Sequence, residues 1–108
     1  MSMLYIYIAG PYTKGDVAVN VRTAIIAADQ LVAKGYIPYI PHLTHFWHLI
    51  SPHDYKFWIA MDLEWLRKCD AVLRLPGDSD GADYEVLIAQ DDGMPIFYSI
   101  EEFGVEPG

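Results

Sequence analysis

At 108 residues, with 53% hydrophobic side chains and a net charge of −8, the chain reads as one domain with its own core and no room for a linker or second domain. Seven Lys and Arg against fifteen Asp and Glu exclude a nucleic-acid polymer as partner, because phosphate backbones are held by clustered cations, though a small ligand with one phosphate stays open. The single Cys69 excludes an internal disulfide and suits a reducing cytoplasm.

The first apolar run, Met3-Leu4-Tyr5-Ile6-Tyr7-Ile8-Ala9, is too short for a membrane span and lacks the basic stretch of a signal peptide, so it reads as a buried strand. It ends at Gly10-Pro11. After the polar loop Tyr12-Thr13-Lys14-Gly15, Asp16 is placed to cap a helix. Its apolar positions Val17, Val21, Ala24, Ile25, Ala28, Leu31 and Val32 recur at three and four residues and stop at Gly35. Tyr36-Ile37-Pro38-Tyr39-Ile40 follows as a strand, and its proline, with no N–H to give, moves it towards a sheet edge. Residues 41–50 read as an aromatic, histidine-rich connection. Ser51-Pro52-His53-Asp54 then has the form of a helix start, with Ser as cap, Pro in the first helical position and an acid two residues on, and the helix should reach about Cys69. Ala71-Val72-Leu73-Arg74-Leu75 is the next strand and Pro76-Gly77-Asp78 its exit turn. Asp80 is placed to cap a helix from Gly81 to Asp91, with Gly93 beyond its end. Pro95-Ile96-Phe97-Tyr98 is a last strand that Ser99 closes into a short acidic turn. Strands alternating with helices predict an α/β domain, a doubly wound, mostly parallel sheet of four to five strands with helices on both faces.

Two carboxylates stand out. Glu85 falls in the first turns of the helix that follows an apolar strand, where the positive end of the helix dipole favours its ionised form. It is either a nucleophile at the mouth of the sheet or a solvated helix residue. Asp62 has Trp58, Ile59, Trp65 and Leu66 three and four positions away, so its charge faces a core or a pocket. Desolvation there raises its pKa and suits it to move a proton, unless a buried donor simply holds it. An ionised Glu and a protonated Asp are the pair that displacement at a sugar anomeric carbon uses. His42, His45, His48 and His53 are spaced temptingly for zinc, but no Cys or carboxylate ligands are spaced alongside, and the segment reads instead as a lid or wall over a pocket. Cys69, at a helix end, reads as structural. No dinucleotide, phosphate-loop or G-x-S-x-G motif is present.

Taken in order, Tyr7-Ile8-Ala9-Gly10-Pro11, Asp62-Leu63-Glu64-Trp65-Leu66 with Cys69-Asp70-Ala71-Val72, and Ser79-Asp80-Gly81-Ala82-Asp83-Tyr84-Glu85 resemble the nucleoside 2-deoxyribosyltransferase family, over nearly the whole chain. That family also contains hydrolytic relatives that cleave 2'-deoxynucleoside 5'-phosphates. The resemblance implies a flavodoxin-like fold, no cofactor and no metal. Its substrates would be a nucleoside or nucleotide and a free nucleobase, acted on in the cytoplasm by a homodimer or larger homo-oligomer with shared sites. It makes Glu85 the nucleophile at C1', Asp62 the group that assists protonation of the leaving base, and Tyr7 the residue that positions Glu85. Gly10, Pro11, Asp78, Ser79 and Gly81 would contact substrate, and Ser99, in the segment 98–102, would reach a partner's site. Where the hydrolases offer a serine and an arginine to phosphate, this chain has Pro11 and Thr13, with Lys14 the nearest cation. The segment 42–53 resembles an uncharacterised branch grouped near the family.

Overall fold

The computed structural model describes residues 4–104. Four strands, β1 (Tyr5–Ala9), β2 (Ile37–Tyr39), β3 (Ala71–Arg74) and β4 (Ile96–Phe97), form one sheet in the order β2-β1-β3-β4, and every pairing is parallel. Parallel strands need crossovers, which α1 (Val17–Ala33), α3 (Tyr55–Leu66) and α4 (Asp80–Asp91) supply. Successive side chains of a strand face opposite sides, and the two faces of this sheet divide cleanly. Ile6, Ile8, Leu73 and Leu75 pack with Ala24, Ala28 and Leu31 of α1 and with Phe103. Tyr7, Ala9 and Val72 pack on the other face with Leu66, Ala82 and Ala89 of α3 and α4. The domain is therefore α/β with a flavodoxin-like, doubly wound sheet. The expected start of the first strand at Met3 lies outside the described residues.

Pro38 occupies an edge strand, where its missing N–H costs no ladder bond. Asp16 caps α1 by accepting from the Val19 N–H at 3.2 Å. The helix is followed by Gly35 at φ 95°, a conformation that favours glycine. Two members of the expected stripe miss the core, since Ile25 and Val32 are exposed while Ala27 is buried. Three alanines let α1 lie close on the sheet, and the bulkier neighbours are left at its rim.

Segment 41–50 is not an irregular connection. Pro41–Leu43 makes a turn of 3-10 helix and Thr44–Ile50 a short helix, α2. Its apolar residues Phe46, Trp47, Leu49 and Ile50 stay exposed, so no one-sided stripe marked it as a helix. Ser51 ends α2, donating its N–H to the Trp47 carbonyl at 2.8 Å, and does not start α3. Pro52 holds Ser51 out of the helical region, and Asp54 is the cap, accepting from the Phe57 N–H at 2.9 Å. α3 stops at Leu66, short of the expected Cys69. The cap of α4 is Ser79, which accepts from the Ala82 N–H at 3.1 Å, and Asp80 is already its first helical residue. Among the described residues no helix is long and apolar enough to cross a membrane.

Candidate active site

The chain leaves β1 towards β2 on one side and returns as β3 on the other, and the crevice beyond the carboxyl ends of two such strands is where doubly wound sheets bind ligands. A cavity of about 650 Å³ opens there. Gly10 makes the approach of the two strand ends possible, because a Cβ at this position would lie 2.9 Å from Leu75 Cβ. Glu85, Asp62, Gly10, Ser79 and Gly81 all line the cavity.

Its floor is a pair of carboxyls, Glu85 and Asp62, and Tyr7 lies behind them without lining the cavity. Tyr7, fully buried, points from β1 towards α4, and its hydroxyl donates to Glu85 Oε2. Glu85 is only 6% exposed, and burial pushes its carboxyl up to about 8. The Tyr7 hydrogen bond and Arg74 oppose that shift, while the charge of Asp62 adds to it. Burial likewise pushes Asp62 up to about 7. One of its oxygens, Oδ1, is buried with no partner among the described residues. The expectation that Glu85 is held ionised by the helix dipole is thus corrected. Glu85 is the sixth residue of α4, beyond the turn where the dipole acts, and desolvation dominates. The Tyr7 hydroxyl, buried against both carboxyls, is pushed well above its ordinary value and keeps its proton. Near neutrality the two carboxyls can hold a single proton between them, so one can attack while the other delivers that proton.

Around this floor stand two unlike sides. Thr13, Lys14, Ser79, Asp80 and Gly81 form one, where the first loop meets the start of α4. Asn20 pins that loop by donating to the carbonyls of Tyr12 and Lys14 at 2.9 and 2.8 Å. Lys14 is paired with Asp78 at 3.0 Å, and the acid keeps the ammonium protonated to higher pH. The other side is aromatic and imidazole, with Tyr12, His42, Thr44, His48 and Trp58, and Tyr55 joins the two, since a Cβ on Gly81 would lie 3.3 Å from its hydroxyl. Sequence reasoning missed Tyr12, Thr44 and Tyr55, whose only signal was the high aromatic content and the polar residues of the loops. Of the neighbours assigned to Asp62, Trp58 and Ile59 line the cavity and Leu66 is buried, but Trp65 is 48% exposed, stacked on Tyr39.

Three expected contacts fall outside the cavity of their own chain. The Asp78 carboxylate is turned outward to Lys14. Pro11 packs under the β3 exit turn, where a Cβ on Gly77 would meet its ring at 2.8 Å, and its carbonyl accepts from His42 Nε2 at 3.1 Å. Ser99 borders a separate, smaller groove with Ile26, Leu75 and Tyr98. Its N–H donates to Glu102.

The four histidines have separate tasks. His42 is buried, which lowers its pKa, and its Nδ1 has no partner among the described residues. His45 Nδ1 meets the Tyr12 hydroxyl at 2.7 Å, His48 meets Trp58, and His53 stacks on Phe57 with ring centres 3.8 Å apart. Among the described residues no three His, Cys, Asp or Glu side chains are grouped to hold a metal ion. Burial pushes the Cys69 thiol up to about 11, with Asp70 adding to the shift, so it is protonated at neutral pH and a poor nucleophile.

Fold and site together define a small doubly wound domain with a buried carboxyl pair at its switch point. The chain belongs to the family described as a domain of unknown function, DUF7768, whose model matches residues 4–99. No curated protein matches it. Among solved structures it is similar to the 2-deoxyribosyltransferase of the psychrotolerant bacterium Bacillus psychrosaccharolyticus, a biocatalyst for nucleoside synthesis. That likeness has a TM-score of 0.64 at 20% sequence identity and covers 85% of this chain and 69% of the other. It is a likeness of fold.

Proposed function

We propose that the protein cleaves the N-glycosidic bond of 2'-deoxyribonucleosides and passes the sugar to another nucleobase, or to water. The observation that carries this reading is Glu85, buried at the cavity floor, receiving the Tyr7 hydroxyl and sharing a field with Asp62. In the reactive form Glu85 is ionised and Asp62 protonated, the less populated of the two one-proton arrangements, because Glu85 holds its proton more tightly, at about 8 against about 7. The Glu85 carboxylate attacks C1', and the C1'–N bond breaks with its electron pair going to the base. Asp62 delivers its proton to that base. The sugar is then held as a glutamyl ester. An incoming base or water attacks C1', the Asp62 carboxylate removes its surplus proton, and Glu85 is released. Two displacements at one carbon retain the anomeric configuration. The side formed by Ser79, Asp80 and Gly81 would receive the sugar and the aromatic side the base. No cofactor or metal enters these steps.

The 5'-monophosphate reading is less well supported, because the cation nearest the cavity, Lys14, is already paired with Asp78 and has Asp80 and Asp83 in its field. We further propose that the working form is a homodimer or larger, with segment 98–102, including Ser99, approaching a neighbour's site. Exposed Phe46, Trp47, Trp65 and Tyr98 support this, although Phe103 lies in the chain's own core. Incubating the protein with each deoxynucleoside and its monophosphate, with and without a second base, and separating the bases by chromatography tests the activity. Base release or exchange from at least one deoxynucleoside is expected. Turnover of none would leave a non-catalytic nucleotide-binding module.

A further inference from the structure

On the aromatic side of the cavity one ring has its proton position set by its neighbours. His48, near the C-terminal end of α2, is half-buried and lines the cavity. Its Nδ1 receives two hydrogen bonds, from the Trp58 indole N–H at 2.9 Å and from the His53 backbone N–H at 3.3 Å. Both partners can only donate. Nδ1 must therefore supply a lone pair, which puts the ring's proton on Nε2. No residue among those described takes that second nitrogen. The ring's orientation is held as well. Trp58 stands edge-on to it at 5.8 Å, and Trp47, His53 and Phe57 pack around Trp58 at 4.9 to 5.5 Å.

We propose that His48 Nε2–H is a fixed hydrogen-bond donor that selects bases presenting a carbonyl oxygen to this wall over bases presenting an amino group at the same place. The inference rests on the reading of the cavity as a nucleoside site and adds the class of base. A histidine free to change tautomer could accept from an amine or donate to a carbonyl. Here the first option is closed, because an amino group would meet an N–H with no acceptor between them. Leaving this donor unpaired once a bound base has covered it costs more than the bond itself is worth. His48 is thus a specificity residue, and Trp58 and the His53 backbone are positioning groups that act through it.

Hypoxanthine and adenine differ in this respect at one ring position and are the probes. Their binding to the parent, His48→Phe and Trp58→Phe proteins is measured by calorimetry, with deoxyinosine and deoxyadenosine turnover followed alongside. Long-range proton–nitrogen spectra of the parent and Trp58→Phe proteins report the His48 tautomer. The parent should carry its proton on Nε2 and favour hypoxanthine by about tenfold, the worth of one neutral hydrogen bond and the mismatch avoided. His48→Phe should bind both bases with similar affinity. Trp58→Phe, which keeps a ring but leaves only the longer His53 N–H bond on Nδ1, should show a larger share of the Nδ1–H tautomer and a reduced preference. A purely structural His48 would weaken both bases by one common factor, and that result overturns the proposal. So does a proton on Nδ1 in the parent, or a preference that survives in His48→Phe while deoxynucleosides still turn over. Failure of the parent to bind either base or to turn over either nucleoside would instead overturn the nucleoside reading and this inference together.

Discussion

The floor of the cavity and its aromatic wall are built by different physics. The floor comes from regular elements. Tyr7 is fixed by strand alternation, Glu85 by the buried face of α4 and Asp62 by the inner face of α3, so Tyr7 and Glu85 are deeply buried, Asp62 is half-buried, and the proton affinity of each is shifted by its surroundings. The wall comes from a 3-10 turn, a seven-residue helix and the start of α3, with much of its apolar surface still exposed. Its order rests on specific side-chain hydrogen bonds and ring contacts. The contrast teaches a division of work in which the rigid, desolvated floor carries reaction chemistry and the polar-aromatic wall carries selection.

Substitutions sharpen that contrast. Glu85→Ala should reduce turnover by roughly four powers of ten or more while base binding at the wall persists, because a covalent nucleophile has no substitute. Activity within tenfold of the parent would break the assignment. Asp62→Asn should cost about 10²- to 10⁴-fold, as expected for loss of proton transfer. The parent should follow a bell-shaped pH profile whose maximum lies between the two carboxyl values, about 7 and about 8. Below that window both carboxyls are protonated and there is no nucleophile, and above it both are ionised and there is no acid. In Asp62→Asn the alkaline fall should disappear. Tyr7→Phe is expected to cost about tenfold, in proportion to one lost hydrogen bond to a charged group. Since that bond lowers the pKa of Glu85, the group that loses its proton last, the alkaline limb of the profile should also move to higher pH.

Stability offers a smaller, independent test. Both carboxyls titrate higher in the folded chain, at about 7 and about 8, than the roughly 4 of an unfolded one. Between those values the unfolded chain binds fewer protons, so stability should fall as pH rises from about 4 towards 8 and then level off. Glu85→Gln removes its share of this loss, and its melting temperature should depend less on pH across the same window. A parent that becomes more stable across that window would contradict burial as the cause of the shifts, provided the other carboxylates are allowed for by comparison with the variant.

The same division explains what was legible in the sequence. β1, α1, β3 and α4 were readable, and with them the positions of Tyr7 and Glu85, because alternation and the three-four stripe record burial directly. The charge of Glu85 was not readable, since local sequence shows the helix dipole but not the enclosure that outweighs it. α2 was missed because exposed Phe46, Leu49 and Ile50 give no one-sided pattern. The caps were displaced by one to three residues, to Ser79 and Asp54, where several capping residues stand side by side and backbone geometry decides among them. Asp78 and Pro11 were placed by resemblance alone, and their own chain turns them away from the cavity, whereas Ser99, expected at a partner's site, borders a different groove of its own chain.

The central claim is that Glu85 becomes covalently attached to the sugar. It is tested most directly by quenching the protein in acid during turnover of a deoxynucleoside and mapping its peptides by mass spectrometry. The peptide that contains Glu85 should be heavier by one deoxyribosyl group, with the added mass on Glu85 itself and absent from Glu85→Ala. Sustained turnover that leaves Glu85 unmodified, or that places the sugar on another residue, would contradict the account.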